Sequence, residues 1–170
     1  MIGSEVNFAE LLTPTYTAPN IRRYLGGAWS MHLPFAWDLV RELQPRILVE
    51  LGVYKGESYF GFCQSVEENK LTTLCYGVDT WQGDPQTGMY GPEIGQEVEA
   101  YNVRYSRFSR LLKMTFKDAS SQFGAGSIDL LHIDGAHRYD SSQKNTREKT
   151  SRCSICLSHH ASQCPFEIRS

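Results

Sequence analysis

No apolar run in this chain approaches the roughly 20 residues a helix needs to cross a bilayer, and the opening Met1-Ile-Gly-Ser-Glu-Val-Asn7 lacks the basic and apolar regions of a secretory signal. Membrane insertion and export are therefore not expected, and cytoplasmic residence is the default. An excess of one charge sign is also missing. Lys and Arg number 17 against 19 Asp and Glu, giving a net charge of −2 and a pI near 6.2. Nothing draws the molecule as a whole toward nucleic acid or an anionic surface. Cysteine is sparse at five residues; Cys63 and Cys75 read as buried thiols of a reducing compartment rather than as a disulfide framework. No internal repeat is present. At 170 residues and 41% hydrophobic content, one domain with its own core fits.

What the chain does have is Ile47-Leu-Val-Glu-Leu-Gly-Val-Tyr-Lys-Gly-Glu-Ser58, a buried-strand pattern running into a glycine-bearing turn and a helix start. In an α/β fold such a turn lies at the carboxyl end of a strand, where ligands bind. A dinucleotide fingerprint, G-x-G-x-x-G, needs its second glycine so that a pyrophosphate can approach the backbone. Here Tyr54 occupies that place between Gly52 and Gly56, which disfavours NAD or FAD. S-adenosylmethionine (SAM) carries no phosphate and tolerates the turn. The competing reading is a bare strand-turn-helix with no ligand at all.

Two further motifs reinforce a ligand site. Leu74-Cys-Tyr-Gly-Val-Asp79 is a short apolar strand closing on a carboxylate, 27 positions after Gly52. An acidic residue at the end of the second strand accepts hydrogen bonds from ribose hydroxyls in nucleotide-binding α/β units. In Ser127-Ile-Asp-Leu-Leu-His-Ile-Asp-Gly-Ala-His137, a largely buried strand is broken at Asp134-Gly135, and Asp134 and His137 stand three residues apart at the break. Asp134 has the chemistry of a hard-cation ligand, His137 that of a general base or second ligand; an Asp-Gly turn with an exposed His is the plainer alternative. His132, inside the strand, reads as a hydrogen-bonded core histidine.

These three runs, together with Tyr76-Gly-Val-Asp-Thr-Trp-Gln-Gly-Asp84 and Tyr90-Gly91, resemble class I SAM-dependent methyltransferases, and among them the bacterial subgroup of sugar and natural-product O-methyltransferases. The likeness covers residues 20 to 140. It implies a Rossmann-like α/β fold with a doubly wound, mainly parallel sheet. It further implies a SAM site in which Glu50, Gly52, Tyr54 and Gly56 form the turn, Asp79 holds the ribose, and Asp118, after a strand-like 111–116, lies near the adenine. Asp134 falls where metal-dependent relatives place their first magnesium-ligating carboxylate, so Mg2+ is the metal to consider. Asp134 and His137 are the expected catalytic residues, acting on a small-molecule or sugar acceptor. The rival functions are a non-catalytic SAM- or nucleotide-binding remnant and an NAD-dependent oxidoreductase.

Elsewhere, residues 1–20 read as an irregular arm, 33–44 as a helix stopped by Pro45, and 97–110 as a surface helix. Residues 80–95 form a long loop suited to a lid, with Trp81, Asp84 and Tyr90 as covering residues. After about residue 140 the composition changes. Residues 1–140 hold 12 Lys and Arg against 17 Asp and Glu, residues 141–170 hold 5 against 2, and of 20 aromatic residues only Phe166 lies in the last segment. Cys153, Cys156, His159, His160 and Cys164 could in principle bind zinc, which makes a zinc-binding tail a third rival, but structural zinc sites usually separate their ligand pairs by a dozen or more residues, so the tight spacing disfavours it. The tail is therefore expected to be aberrant, out-of-frame coding sequence that adds no strand. A sheet truncated after its fourth strand, 128–133, would then offer an exposed edge for self-association, with at most weak SAM binding and little catalysis.

Overall fold

The computed structural model describes residues 20–84, 88–134, 152–158 and 167–168, of which Asp84 and the last two segments are described by their backbone alone. Helix α1 (Leu33–Leu43) has Pro34 in its first turn and closes on Gln44 in the left-handed region, φ 45°. Pro45 prevents its continuation. Strand β1 (Ile47–Leu51) leads through the glycine turn into α2 (Glu57–Glu68), and β2 (Leu74–Asp79) follows. A two-residue antiparallel pair, β3 (Gly83–Asp84) with β4 (Gly88–Met89), occupies the expected lid loop. Then come α3 (Pro92–Asn102), β5 (Ser109–Lys113), α4 (Phe116–Ser120) and β6 (Ile128–Ile133).

The main sheet has the order β5-β2-β1-β6, extended by β7 (Arg152–Ser158) and β8 (Glu167–Ile168), and every pair in it is parallel. The expected Rossmann-like α/β architecture is thus present, but the expected truncation after the fourth strand is not. β7 pairs with β6 from Ile128↔Cys153 to Ile133↔Ser158, so the 128–133 strand is interior and its edge is not open for self-association. Composition averaged over thirty residues concealed one seven-residue run, Arg-Cys-Ser-Ile-Cys-Leu-Ser, that the unpaired backbone of β6 can recruit. Cys153 and Cys156 both fall in this strand.

Two boundaries also differ from the sequence expectations. The strand read at 111–116 lies at Ser109–Lys113, because Thr115 caps a short helix that begins at Phe116. The surface helix starts at Pro92, five residues early, since proline suits a first helical turn.

Both faces of the sheet are covered, as the apolar strands require. On one side Leu48 and Leu130 pack with Ala36, Leu39 and Val40 of α1, with Tyr59, Phe60, Phe62 and Val66 of α2, and with Val98 of α3. On the other, Val49, Leu51, Val78, Leu131 and Ile133 pack with Ala119 of α4 and with Phe116 and Phe123. Among the described residues no helix is long and apolar enough to cross a membrane.

Candidate functional site

The turn after β1 is built from three left-handed residues: Gly52 at φ 91°, Tyr54 at 48° and Gly56 at 78°. Gly52 N–H donates to the Val78 carbonyl at 2.9 Å, and Gly56 N–H to the Val53 carbonyl at 2.7 Å. Gly56 is the N-cap of α2, where a Cβ would stand 2.5 Å from the Phe60 ring, so the position requires glycine on two counts. Tyr54 has no such freedom, and a left-handed conformation costs it about 1 kcal/mol. Asp79, at the end of β2, offsets that cost. Its Oδ2 accepts the Tyr54 N–H at 2.8 Å, while Oδ1 accepts the N–H of Trp81 at 2.8 Å, a second non-glycine residue at φ 50°. The Trp81 indole N–H closes the knot on the Tyr54 carbonyl at 3.0 Å. Tyr90, from the far end of the lid loop, sets its ring 5.3 Å from that of Tyr54.

Beneath the turn, Glu50 is fully buried. Its Oε1 accepts the Ser58 hydroxyl at 2.6 Å, and its Oε2 lies 3.2 Å from Nδ1 of His132, its register partner on β6, in a contact that falls short of hydrogen-bond geometry. Burial pushes the Glu50 carboxyl above the usual range, against an opposing pull from His132. His132 is enclosed edge-on by Trp29 at 4.3 Å and Phe62 at 5.3 Å between ring centroids. A core position was expected for it; the carboxylate facing it was not.

The chain moves from β1 outward through β2 to β5 and then returns to the other side of β1 as β6, so the sheet's topological switch point lies between β1 and β6. A cavity of about 330 Å³ opens there. It is lined by Val53, Tyr54 and Lys55 of the turn, Glu57 and Ser58 of the first turn of α2, Asp134 just past β6, and Leu25, Gly27, Ala28 and Trp29. Asp134 is exposed, with its N–H on the Leu51 carbonyl at 2.9 Å.

The 25–29 wall was invisible to sequence reasoning, because its residues form no periodic element. It is held by side chains of α2. Arg22 N–H bonds Gln64 at 3.0 Å and its guanidinium meets Glu67 and Glu68. Arg23 reaches the Lys55 carbonyl at 2.8 Å and Glu97 at 2.8 Å, lying 4.6 Å over the Tyr101 ring. Glu57 takes the Leu25 N–H at 2.7 Å and the Ser30 hydroxyl.

The expected site residues thus separate. Tyr54 and Asp134 line one cavity; Gly52, Gly56 and Asp79 shape the turn behind it, and Glu50 lies underneath. Asp118 is exposed in α4, where Oδ2 accepts the Thr115 hydroxyl at 2.7 Å and its N–H returns a bond to the Thr115 oxygen at 3.2 Å. That reciprocal cap accounts for it locally. His137 lies outside the described residues. Among the described residues no group of three or more His, Cys, Asp or Glu stands together to hold a metal ion.

A parallel α/β sheet with a glycine turn and a cavity at its switch point places the chain in the doubly wound α/β class, in which ligands bind at that position. More particularly, the chain belongs to the methyltransferase domain family, whose model matches residues 49–154. That match runs past residue 140 into β7, in keeping with the sheet. An uncharacterized protein, y4gI, of Sinorhizobium fredii (strain NBRC 101917 / NGR234) is 48% identical over 135 residues, covering 78% of this chain and 15% of that protein. Among solved structures, the methyltransferase PaMTH1 of Podospora anserina, bound to SAH, aligns with a TM-score of 0.48 at 14% identity over 62% of this chain and 41% of its own. Cofactor-bound Rv0187 from MTB aligns at 0.48 and 17% identity, over 79% and 56%. The Bacillus cereus O-methyltransferase in complex with SAH aligns at 0.47 and 14%, again over 79% and 56%. The chain therefore spans well under two thirds of each of these proteins, and only about a seventh of y4gI.

Proposed function

We propose that the switch-point cavity and its turn bind SAM, and that the protein transfers a methyl group from it to an oxygen of a small-molecule or sugar acceptor. The observation that carries this reading is the convergence of the β1 turn and Asp134 on one cavity at the switch point.

The residues present suit the ligand. The first turn of α2 offers backbone N–H groups without intrahelical acceptors, next to the Ser58 hydroxyl, where an amino-acid carboxylate is favoured. Each Asp79 oxygen accepts one amide and retains a lone pair for a ribose hydroxyl. Glu50 acts from below by holding Ser58, and Tyr54 and Trp29 supply apolar walls. Bound SAM would supply an electrophilic methyl group on a sulfonium centre. The chain's own task is then to orient an acceptor oxygen in line, exclude water and receive its proton. Asp134 is the described carboxylate in place to receive it, and His137 is the second group assigned to that step.

Magnesium fits less well. It favours six oxygens in near-octahedral array, and the described residues bring only two carboxylates to the cavity, Asp134 and Glu57, the latter already accepting from Leu25 and Ser30. No step is assigned to a metal.

Calorimetric titration of the chain with S-adenosylhomocysteine, alongside NADH, tests the binding reading: saturable binding of the former alone is expected, and heat only with NADH overturns it. Release of S-adenosylhomocysteine from SAM in the presence of catechol and sugar acceptors tests transfer; stoichiometric binding without that product would favour a non-catalytic role.

A further inference from the structure

Among the described residues, six buried side-chain nitrogen and oxygen atoms have no hydrogen-bond partner, and three of them belong to side chains in successive contact: Glu50 Oε2, His132 Nδ1 and Trp29 Nε1. Glu50 is fully buried and His132 is 1% exposed. Oε2 and Nδ1 stand 3.2 Å apart, close enough for a hydrogen bond but misaligned for one. The Trp29 ring meets the imidazole edge-on. A buried polar atom left unpaired is costly. Three of them side by side, next to the cavity, mark an arrangement that is completed by a further event.

The group is tied to the cavity at both ends. Trp29 is itself a lining residue, and Glu50 holds another, Ser58, whose hydroxyl donates to Oε1 at 2.6 Å. A carboxylate is planar, so turning Oε2 into line with Nδ1 also moves Oε1 and, with it, the Ser58 hydroxyl. The coupling runs both ways. Ser58 gives its one proton to Glu50, so its oxygen meets a ligand as an acceptor, and a ligand donor that draws on this oxygen turns the carboxylate behind it. The Trp29 and Phe62 rings that enclose His132 offer Nδ1 no acceptor, which leaves Oε2 as its partner.

We infer that His132 is a positioning residue: when a ligand engages Ser58, the imidazole Nδ1–H donates to Glu50 Oε2 and fixes the carboxylate that presents Ser58 to the amino-acid end of the ligand. This inference rests on the SAM reading and deepens it, because it gives a core strand residue, one position across the sheet from Glu50, a share in cofactor affinity. Hydrogen bonds at functional sites are often long or poorly aligned before the ligand arrives and tighten in the complex. A bond to a charged acceptor that forms only in the complex strengthens binding by about tenfold.

The test is a double-mutant cycle read by calorimetry with S-adenosylhomocysteine. His132→Phe keeps a ring against Trp29 and Phe62 but removes the donor, and should weaken binding about tenfold; His132→Gln, which restores an N–H for Oε2, should stay within about threefold of the unsubstituted chain. In a Ser58→Ala background, adding His132→Phe should cost no more than about a further twofold, because the two act through one carboxylate. A core residue with a merely structural role would show no rescue by glutamine and the same loss in both backgrounds, and either result overturns the inference, as does unchanged affinity in His132→Phe. Should His132→Phe not fold, the unsubstituted chain with 15N-labelled histidine decides: a slowly exchanging, downfield imidazole N–H, absent in His132→Gln, is expected on saturation with S-adenosylhomocysteine, and an unchanged spectrum overturns the inference. If S-adenosylhomocysteine does not bind the unsubstituted chain at all, the SAM reading fails first, and this inference with it.

Discussion

Replacing Asp79 with asparagine is the sharpest single probe of the turn. The aspartate carboxylate gives one oxygen to each of two amides, those of Tyr54 and Trp81, both at 2.8 Å, in a site only 8% exposed. Asparagine has one acceptor oxygen, so one amide would face an NH2 group and lose its bond. A hydrogen bond to a charged group contributes about 1.5–3 kcal/mol, and a buried donor left without an acceptor falls in the same range. Tyr54 and Trp81 are both left-handed, so whichever amide is released also frees a residue held at about 1 kcal/mol of backbone cost, returning part of the loss. The net expectation is destabilisation by about 2 kcal/mol. With a urea slope of about 2 kcal/mol per molar for a chain of this size, the unfolding midpoint should fall by about 1 M. Affinity for S-adenosylhomocysteine should fall as well, because the same oxygens face the ribose in the proposed complex. A midpoint within about 0.2 M of the unsubstituted chain would refute the claim that Asp79 holds the turn.

Gly56→Ala combines a left-handed φ of 78° with a Cβ 2.5 Å from the Phe60 ring; a loss of about 2–4 kcal/mol in denaturant unfolding is expected, with ligand binding abolished. Asp129 is desolvated, but its bonds to Arg46 and to the amides of Arg46 and Ile47 outweigh burial and hold its carboxyl below the ordinary range. Its contribution is therefore present above the unfolded value near pH 4 and is lost as pH falls through the lower folded value, so Asp129→Asn should flatten the acid limb of a stability–pH curve. Glu50 shows the opposite sign: burial raises its folded pKa, so its ionisation opposes folding increasingly above the unfolded value near pH 4.3. Glu50→Gln, which keeps an acceptor for Ser58, should thus gain on the unsubstituted chain in thermal melts as pH rises from 4 toward 8.

Strands β1 and β6 were legible to the residue, since each is an apolar run bounded by turn residues and buried on both faces. Strand β5 was not. Ser109 and Arg110 look polar in sequence, yet Ser109 is buried through its bonds to Tyr59 and Asn102, which no local pattern encodes. β7 escaped because a short strand completed by a neighbour's free edge leaves little trace in composition. Of the site, the glycine turn and Asp134 could be read because backbone conformation and strand ends impose residue types. The Leu25–Trp29 wall and Glu57 could not, because they depend on long-range contacts between Arg22, Arg23 and α2. Asp118 illustrates the converse: a carboxylate in a suggestive place that its own Thr115 cap explains.

The most direct measurement is a crystal structure of the chain with S-adenosylhomocysteine. Density is expected across the carboxyl ends of β1 and β2, with the ribose on Asp79, the amino-acid end at the start of α2, and the sulfur turned toward Asp134. A ligand bound elsewhere, or that cavity left empty at saturating concentration, would contradict the account.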